Sequence, residues 1–211
     1  MSSEIDKRLN LFFEKYLHQK FAPGQVILHP GEINSIHFLK KGKVSQYSVS
    51  EEGQVIFLHI FKEATFFPIM LVLAKSSNSY YFQAGTNVET YSAPKEKVIE
   101  FLKNNPEVLW NLVERFSGGI NGLLIRLEDL LTKDSYLRLK SVLKFLGIRL
   151  GTKDPKTKLT KLDLTHTELS AWLGVNRETV TRQMSRLERD GFITYQGKNL
   201  ILNPQADNQN P

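Results

Sequence analysis

The sequence predicts an α+β protein with a strand-rich N-terminal domain (residues 1–106), a long helix (107–133) and a C-terminal winged helix-turn-helix domain (134–211). Short alternating apolar runs separated by turn residues continue to about Pro94 and are typical of a sandwich or barrel. Apolar residues then recur every three or four positions, as in one long helix. The segment Thr165–Leu202 combines two short helical patterns, a glycine between them and a hairpin. A chain of 211 residues exceeds a typical single domain.

The N-terminal domain is predicted to begin with an amphipathic helix over residues 1–20, with Leu9, Phe12, Phe13 and Tyr16 on one side. From Phe21 onwards the pattern becomes strand-like. The predicted strands are Val26–Leu28, Ile36–Leu39, Val44–Val49, Val55–Phe61, Tyr80–Phe82 and Val88–Tyr91. The turns between them are marked by Pro23-Gly24, Pro30-Gly31, Lys41-Gly42 and Glu52-Gly53.

A helix over Lys95–Asn104 is predicted to precede the long helix, which runs from about Glu107 to Lys133. The apolar positions of the long helix nearly form a heptad seam: Leu109, Leu112 or Val113, Phe116, Ile120, Leu123, Leu127 and Leu130. Such a seam either packs on the barrel of its own chain or joins two subunits in a coiled coil. Three glycines, Gly118, Gly119 and Gly122, each weaken the helix by about 1 kcal/mol relative to alanine. They permit a close helix crossing or mark a bend, and the sequence does not decide between the two.

The C-terminal domain is predicted to start with Asp134 as the N-cap of a helix over Ser135–Leu150, followed by a basic loop, Gly151–Lys161. Thr165 and Glu168 then fit a capping box at the start of the first helix of the helix-turn-helix. Gly174 ends that helix, and Asn176 is a suitable N-cap for the second. Phe192–Thr194 and Leu200–Leu202 are predicted to be the strands of the wing.

The second helix buries one face and exposes the other. Val180, Met184 and Leu187 recur at intervals of four and three residues, so they form the apolar stripe that packs inward. The charged residues Arg177, Glu178 and Arg182 are then exposed. Arginine and carboxylate side chains near the start of a helix are the types that reach base edges in the DNA major groove. The alternative is an ordinary solvated charged face.

The charge distribution favours the nucleic-acid interpretation. Residues 133–203 contain fourteen lysines and arginines against seven acidic residues, while the formal charge of the whole chain is only +6. The basic excess therefore belongs to the last third of the chain. A concentration of positive charge in one module is the signature of phosphate contact.

The run L-G-V-x-R-E-T-V-x-R-x-x-x-x-L-E-x-x-G-x-I closely resembles the DNA-binding signature of the Crp/Fnr superfamily of bacterial transcription regulators, in its catabolite-activator branch. The resemblance implies that Arg177 contacts a guanine, Glu178 a cytosine amino group, and Arg182 a further base or phosphate in a TGTGA-like half-site. We expect phosphate contacts from Thr167, Asn176, Thr179, Thr181 and Lys198. The family likeness also favours a homodimer, with an interface formed by Phe116, Ile120, Leu123, Leu127 and Leu130.

The glycine spacing of the N-terminal domain resembles the cyclic-nucleotide-binding jelly roll of that superfamily. Members that bind cyclic nucleotides hold the ribose and phosphate with a Gly-Glu pair and an Arg-Ser/Thr-Ala run. Here Pro68-Ile69 replaces the first, and Asn78-Ser79-Tyr80-Tyr81, which lacks arginine, replaces the second. On the long helix, Leu123-Leu124 replaces the hydroxyl pair that holds adenine in the cyclic AMP receptor. A buried phosphate without a cation is costly, so cyclic AMP is not expected to be the effector.

Two interpretations of the barrel interior stay open. Either it is a filled core, or it admits an apolar or aromatic small molecule. The residues expected to line such an effector pocket are Phe67, Met70, Tyr80, Tyr81, Leu123 and Leu124.

Other classes of function find little support in the sequence. The chain has no cysteine, which excludes disulfides and cysteine-ligated clusters, and it has no apolar stretch long enough to cross a membrane. His29, His37 and His59 lack the His-x-His spacing of metal-binding cupins, so neither a metal nor a cofactor is expected. A cupin-like enzyme with an accessory DNA-binding domain is an alternative that no acid–base constellation supports. We therefore expect a cytoplasmic, non-enzymatic regulator whose partners are double-stranded DNA, a second copy, RNA polymerase if it activates transcription, and a small-molecule effector if the pocket exists.

Overall fold

The computed structural model describes residues 2–154, 157, 159–197 and 199–203. The chain forms two compact units, residues 1–120 and 121–211. The division falls inside the long helix, which therefore contributes residues to both units.

The first unit is a jelly-roll-like sandwich with helices at either end of its sequence. Its elements are α1 (Ser2–Phe13), β1 (Leu17–Phe21), β2 (Val26–Leu28), β3 (Ser35–Lys41), β4 (Val44–Val49), β5 (Val55–Phe61), β6 (Thr65–Phe67), α2 (Ile69–Leu73), β7 (Tyr81–Ala84), β8 (Val88–Pro94), α3 (Lys95–Asn104) and the first half of α4 (Pro106–Thr132). Two four-stranded sheets, in the orders β1-β8-β3-β6 and β2-β7-β4-β5, are built from antiparallel pairs. The predicted fold class is confirmed.

Two apolar cores stabilise this unit. The first lies between the two sheets and contains Leu39, Val88 and Phe67 from one sheet with Val44 and Phe82 from the other. The second lies on the opposite face of β3, where Ile36 and Phe38 pack with residues of α1, α3 and α4. β3 is consequently buried on both faces, which explains its nearly continuous apolar run.

Some predicted elements of this unit were wrong in extent or were missed. The first helix ends at Phe13 rather than near residue 20, and Leu17–Phe21 forms β1 instead. β1 pairs along its whole length with β8, so tertiary hydrogen bonding overrides the local helical pattern. The short elements β6 and α2 were not predicted, because apolar runs of three to five residues have no resolvable period.

The second unit is a three-helix cluster on a small sheet. It contains the end of α4, followed by α5 (Ser135–Leu150), β9 (Thr152–Lys153), β10 (Thr160–Leu162), α6 (His166–Leu173), α7 (Arg177–Arg189), β11 (Ile193–Gln196) and β12 (Asn199–Leu202). The sheet has the order β11-β12-β10-β9. The stretch 151–161, predicted to be a loop, contains β9 and the start of β10, and β10 pairs with β12 because its residues Thr160 and Leu162 are buried there.

The predicted helix boundaries of the second unit are confirmed by their caps. The Asp134 carboxylate accepts from the backbone N–H of Leu137 at 2.9 Å. Thr165 and Glu168 form both halves of a capping box at the start of α6. Gly174 ends α6 with φ of +65°, a left-handed conformation that glycine adopts without strain.

Candidate nucleic-acid interface

Helix α7 presents its charged face outward because its apolar face is buried. Val180, Met184 and Leu187 are buried against α5 and α6, as predicted. Arg177, Glu178 and Arg182 are all exposed and, with Thr181 and Ser185, line one shallow concavity on the outer face of the helix. The three side chains predicted to read bases therefore lie together on one surface. Its mixture of guanidinium donors and a carboxylate acceptor matches the edges of G·C pairs.

The start of α7 is ordered by its own polar residues. The side-chain oxygen of Asn176 accepts from the backbone N–H of Thr179 at 2.9 Å. Since that oxygen caps the helix, contact between Asn176 and a phosphate would have to come from its amide N–H₂ group. Thr179 is half-buried, whereas Thr181, two residues further along the same helix, is exposed and donates to the Arg177 carbonyl at 3.0 Å.

Two further predicted phosphate contacts lie outside α7. Thr167 is exposed in the first turn of α6, where backbone N–H groups and the positive end of the helix dipole favour anions. Lys198, predicted in the wing, lies outside the described residues.

His166, which was not among the predicted site residues, contacts both α7 and the wing strand β11. His166 Nδ1 lies 2.9 Å from the Thr181 hydroxyl on α7, and its Nε2 lies 3.3 Å from the Tyr195 hydroxyl on β11. Partial burial, and secondarily the nearby Arg177, lower the pKa of His166. A single histidine at the start of a helix carries no sequence signal of this role, because the bridge depends on tertiary packing.

Helix α7 is held firmly on α5. Gln183 Nε2 donates to the Ser135 hydroxyl at 3.0 Å, and the Tyr136 hydroxyl donates to the Asp190 carboxylate in the turn after α7. Desolvation, reinforced by the Asp190 charge, raises the pKa of Tyr136 to about 12. The guanidinium of Arg186 lies 4.1 Å from the centre of the Tyr136 ring. A helix fixed in this way presents its outer side chains in one arrangement, as recognition of DNA requires.

The last turns of α4 are joined to the helix-turn-helix by an arginine between two aromatic rings. The Arg126 guanidinium lies 5.6 Å from the ring centres of both Phe145 on α5 and Trp172 on α6. Burial lowers the pKa of this guanidinium, although arginine stays charged at any physiological pH. A desolvated cation–π contact contributes about 2 kcal/mol, so this contact fixes the end of α4 within the second unit.

The exposed apolar surface of α4 differs from the predicted interface. Four of the predicted interface residues are at least half exposed in the single chain, as expected of side chains that a second subunit would cover: Ile120, Leu123, Leu127 and Leu130. Phe116 is instead packed on the core that contains α1 and α3. Phe116 therefore lies at the N-terminal end of the predicted set, where the same face of α4 is partly covered by its own domain.

The most exposed apolar residues of α4 form a stripe with regular heptad spacing. It runs through Trp110, Val113, Ser117, Ile120, Leu124, Leu127 and Leu131, at alternating steps of three and four residues. Trp110 and Leu131, at its two ends, are 65% and 77% exposed. Among the described residues, a side chain at Gly118, Gly119 or Gly122 would meet nothing within 4 Å of its Cβ atom, so packing within this part of the chain does not require glycine there.

Of the predicted effector-pocket residues that lie in the first unit, Phe67 and Tyr80 share one apolar cluster. Phe67 is fully buried between the sheets, where it stacks on Phe82, and Tyr80 packs against the same cluster. Tyr81 lies on the other face of β7, stacked on Tyr47 with ring centres 5.1 Å apart. Met70 is half exposed on α2. Leu123 and Leu124 belong to the second unit and are exposed there.

Asn78 forms hydrogen bonds across the segment that aligns with the phosphate-binding Arg-Ser/Thr-Ala run of cyclic-nucleotide-binding relatives. Its side-chain amide donates to the carbonyls of His29 at 2.8 Å and Tyr80 at 2.7 Å, and its oxygen accepts from the Tyr80 N–H at 2.9 Å. Asn78 is 4% exposed and also forms a backbone bridge with Gly31. Asn78 is uncharged and holds the backbone together by hydrogen bonds at the position where cyclic-nucleotide-binding relatives are expected to have a phosphate-binding arginine. Its polar side-chain atoms already have hydrogen-bond partners.

Two polar atoms in the sheet β1-β8-β3-β6 have no hydrogen-bond partner among the described residues. They are Nδ1 of His37 and the hydroxyl of Thr90, both deeply buried. Burial lowers the pKa of His37 to about 4, so its ring is neutral at physiological pH. Among the described residues, no group of three histidine, aspartate or glutamate side chains is placed to hold a metal ion, and no helix is long and apolar enough to span a membrane.

Comparisons with known proteins agree with this architecture. Residues 18–105 match the cyclic nucleotide-binding domain family, and residues 138–206 match the Crp-like helix-turn-helix domain family. The global nitrogen regulator of Nostoc sp. is 30% identical over 187 residues, covering 87% of this chain and 84% of the relative. The transcriptional regulator SdrP of Thermus thermophilus is 29% identical over 176 residues, covering 82% and 83%.

Solved structures share the fold over nearly the whole chain. A CRP/FNR family transcriptional regulator from Thermus thermophilus superposes with a TM-score of 0.72 at 28% identity, covering 89% of this chain and 93% of that one. A c-di-GMP-responsive global regulator from Xanthomonas campestris superposes with a TM-score of 0.80 at 18% identity, covering 93% and 98%, which shows the fold alone.

The relatives and the fold are those of transcription regulators rather than enzymes, so the cupin-like alternative is set aside. With a cyclic nucleotide-binding domain, a Crp-like helix-turn-helix and a relative 30% identical over most of both chains, this protein belongs to the Crp/Fnr family of transcription regulators.

Proposed function

We propose that this regulator binds DNA as a homodimer and reads a TGTGA-like palindrome with α7. The observation that carries the proposal is the exposed cluster of Arg177, Glu178 and Arg182 on the first two turns of a helix whose other face is buried. Arg177 donates to O6 and N7 of a guanine, Glu178 accepts from N4 of a cytosine, and Arg182 contacts a further base or a phosphate. Thr167, Asn176, Thr179, Thr181 and Lys198 fix the register on the backbone.

The heptad stripe of α4 supplies the dimer contact. A soluble single chain rarely leaves a continuous row of tryptophan, valine, isoleucine and leucine exposed, and the three-four spacing is that of a two-stranded coiled coil. Of the residues first predicted, Ile120 and Leu127 belong to the stripe, Leu123 and Leu130 flank it, and Phe116 is partly buried in its own domain. Gly118 and Gly119 directly follow Ser117, so three successive small residues would let two helices approach closely at that point.

Cyclic AMP does not control this regulator. The phosphate of cyclic AMP requires a cation when it is buried. The segment that aligns with the phosphate-binding run instead contains Asn78, whose side chain forms its hydrogen bonds with the backbone. Phe67 and Phe82 are buried in the interior, where their rings stack. The unpaired atoms of His37 and Thr90 are the observation that favours a second candidate, an effector with a polar group that enters the sandwich.

Saturating cyclic AMP is expected to leave the DNA affinity of the purified protein unchanged within twofold. Fluorescence anisotropy with a labelled duplex, with and without 1 mM nucleotide, makes the measurement. Cyclic GMP and 5′-AMP are suitable controls, since they separate recognition of the cyclic phosphate from general nucleotide binding. A tenfold gain in affinity with cyclic AMP alone would show that a phosphate is held without arginine, contrary to the proposal.

The DNA-reading proposal is tested by comparing a duplex that contains TGTGA-n6-TCACA with a scrambled duplex of the same composition. A preference of at least tens-fold at physiological salt is expected, because each base-reading pair contributes roughly 1–3 kcal/mol of discrimination. RNA polymerase is a partner if the operator lies where the bound dimer contacts it.

A further inference from the structure

His166 occupies a position where one side chain bridges the recognition helix and the wing. It is the first residue of α6, and its ring contacts Thr181 on α7 and Tyr195 on β11. It is also the only histidine in residues 121–211 of the sequence. Any group of this unit that titrates near neutral pH is therefore this imidazole, because histidine alone has an ordinary pKa in that range.

The hydrogen bonds around the ring define which nitrogen carries the proton. The Thr181 hydroxyl donates to the Arg177 carbonyl at 3.0 Å, so its oxygen is left to accept from His166 Nδ1–H. The other ring nitrogen, Nε2, then accepts from the Tyr195 hydroxyl. In this neutral form each of the three side chains donates once, and the chain of bonds runs from the wing to the backbone of α7.

The charges that face His166 disfavour its protonation in the free protein. Burial lowers the pKa of the imidazole, and the charge of Arg177 on α7 lowers it further. From its own helix, the Glu168 carboxylate is committed to the backbone N–H and hydroxyl of Thr165. From β11, the Tyr195 hydroxyl faces the ring. Burial, with a contribution from Glu188, raises the pKa of that phenol, which keeps it neutral.

Given the proposed DNA-binding function, on which this inference rests, we propose that His166 takes up a proton when DNA binds and that the imidazolium then strengthens contact with the phosphate backbone. Phosphates placed near Thr167 and Thr181 bring negative charge to the ring, which opposes the effect of Arg177 and raises the pKa of His166. Once Nε2 carries a proton, it donates to the Tyr195 oxygen. The Tyr195 hydroxyl is then free to turn its own hydrogen towards a phosphate.

The sign of the resulting pH dependence follows by linkage. The complex binds more protons than the free protein between the lowered pKa of free His166 and its higher pKa on DNA. Affinity for DNA therefore rises as pH falls through that interval, by up to about tenfold per pH unit, and is constant above it. The phosphates are common to all DNA, so the effect is the same for specific and random duplexes.

The proposal is tested by DNA affinity between pH 8.0 and 5.5 at constant ionic strength, with the wild type, His166→Gln and His18→Gln. Glutamine keeps a donor and an acceptor but does not titrate, whereas His18 lies on β1 and pairs with Glu89. We expect the wild type and His18→Gln to bind at least fivefold more tightly at pH 6.0 than at pH 8.0. We expect His166→Gln to match the wild type within a few fold at pH 8.0 and to show no gain at pH 6.0.

Calorimetry of the wild type in two buffers of different ionisation enthalpy gives an independent measure that needs no variant. Net uptake of a fraction of one proton on binding near pH 6.5 supports the proposal. No uptake, or a pH gain that His166→Gln retains, overturns it. Equal affinity of the wild type for the palindrome and a scrambled duplex would instead refute the proposed base reading. That outcome is measured by the ratio of the two affinities, whereas the role of His166 is measured by the change of affinity with pH.

Discussion

Replacing Arg177 with alanine is expected to reduce the preference for a TGTGA palindrome over a scrambled duplex by roughly 1–3 kcal/mol per half-site, while weak, salt-sensitive binding persists. The physical reason is that Arg177 is exposed on the outer face of α7, so its removal deletes the proposed bidentate contact with guanine without disturbing the buried stripe. The measurement is competitive anisotropy with both duplexes at several salt concentrations. Glu178→Ala is the informative partner, since it deletes a negative charge and should weaken discrimination while tightening binding to scrambled DNA.

The matched control is Arg189→Ala, which removes the same charge from an exposed position at the other end of the same helix. It is expected to lower the affinity for both duplexes alike and to leave their ratio unchanged. If Arg177→Ala and Arg189→Ala lower both affinities by the same factor, Arg177 contributes only charge and its role in reading guanine is wrong.

Introducing arginine at both Ile120 and Leu127 is expected to convert the protein into a monomer. Both side chains are more than half exposed in the α4 stripe, and charges opposed across a coiled-coil seam are strongly destabilising to the pair of helices. DNA affinity for the palindrome should fall by on the order of 10²–10⁴, because the second half-site is then no longer bound intramolecularly. Sedimentation velocity and anisotropy on the same samples measure the two effects.

Leu11→Arg is the matched control for the dimer experiment. Leu11 is 58% exposed on α1, outside the stripe, so the same substitution should leave both mass and DNA affinity unchanged. Circular dichroism spectra establish that each variant stays folded. A double variant that sediments as a dimer would show that α4 is not the interface.

The helix-turn-helix was predicted from sequence almost in full because its determinants are local. The capping residues Asp134, Thr165 and Asn176 specify helix starts within three residues of themselves, and Gly174 specifies the turn through its backbone conformation. Once those limits are known, helical periodicity alone separates the buried Val180 and Met184 from the exposed charged residues.

Features that depend on contacts between distant segments were not predictable in this way. β1 forms because its edge pairs with β8, about seventy residues away, and β10 forms because β12 lies beside it. Phe116 fits the heptad pattern as well as Ile120 does, and only the packing of α1 and α3 shows that it faces its own domain. The bridge from His166 to Thr181 and Tyr195 likewise joins three elements whose sequences carry no common motif.

The most direct test of the account is the affinity for two duplexes with identical TGTGA and TCACA half-sites, separated by six base pairs in one and by eleven in the other. In the proposed dimer, two recognition helices held by one α4 pair enter the major groove on the same face of the DNA, about one turn or roughly 34 Å apart. A five-base-pair insertion rotates one half-site by about half a turn. We predict that the longer spacer reduces the affinity to that of a single half-site. Equal affinity for the two spacings would contradict the proposed dimer, and equal affinity for either spacing and a scrambled duplex would contradict the proposed reading of bases.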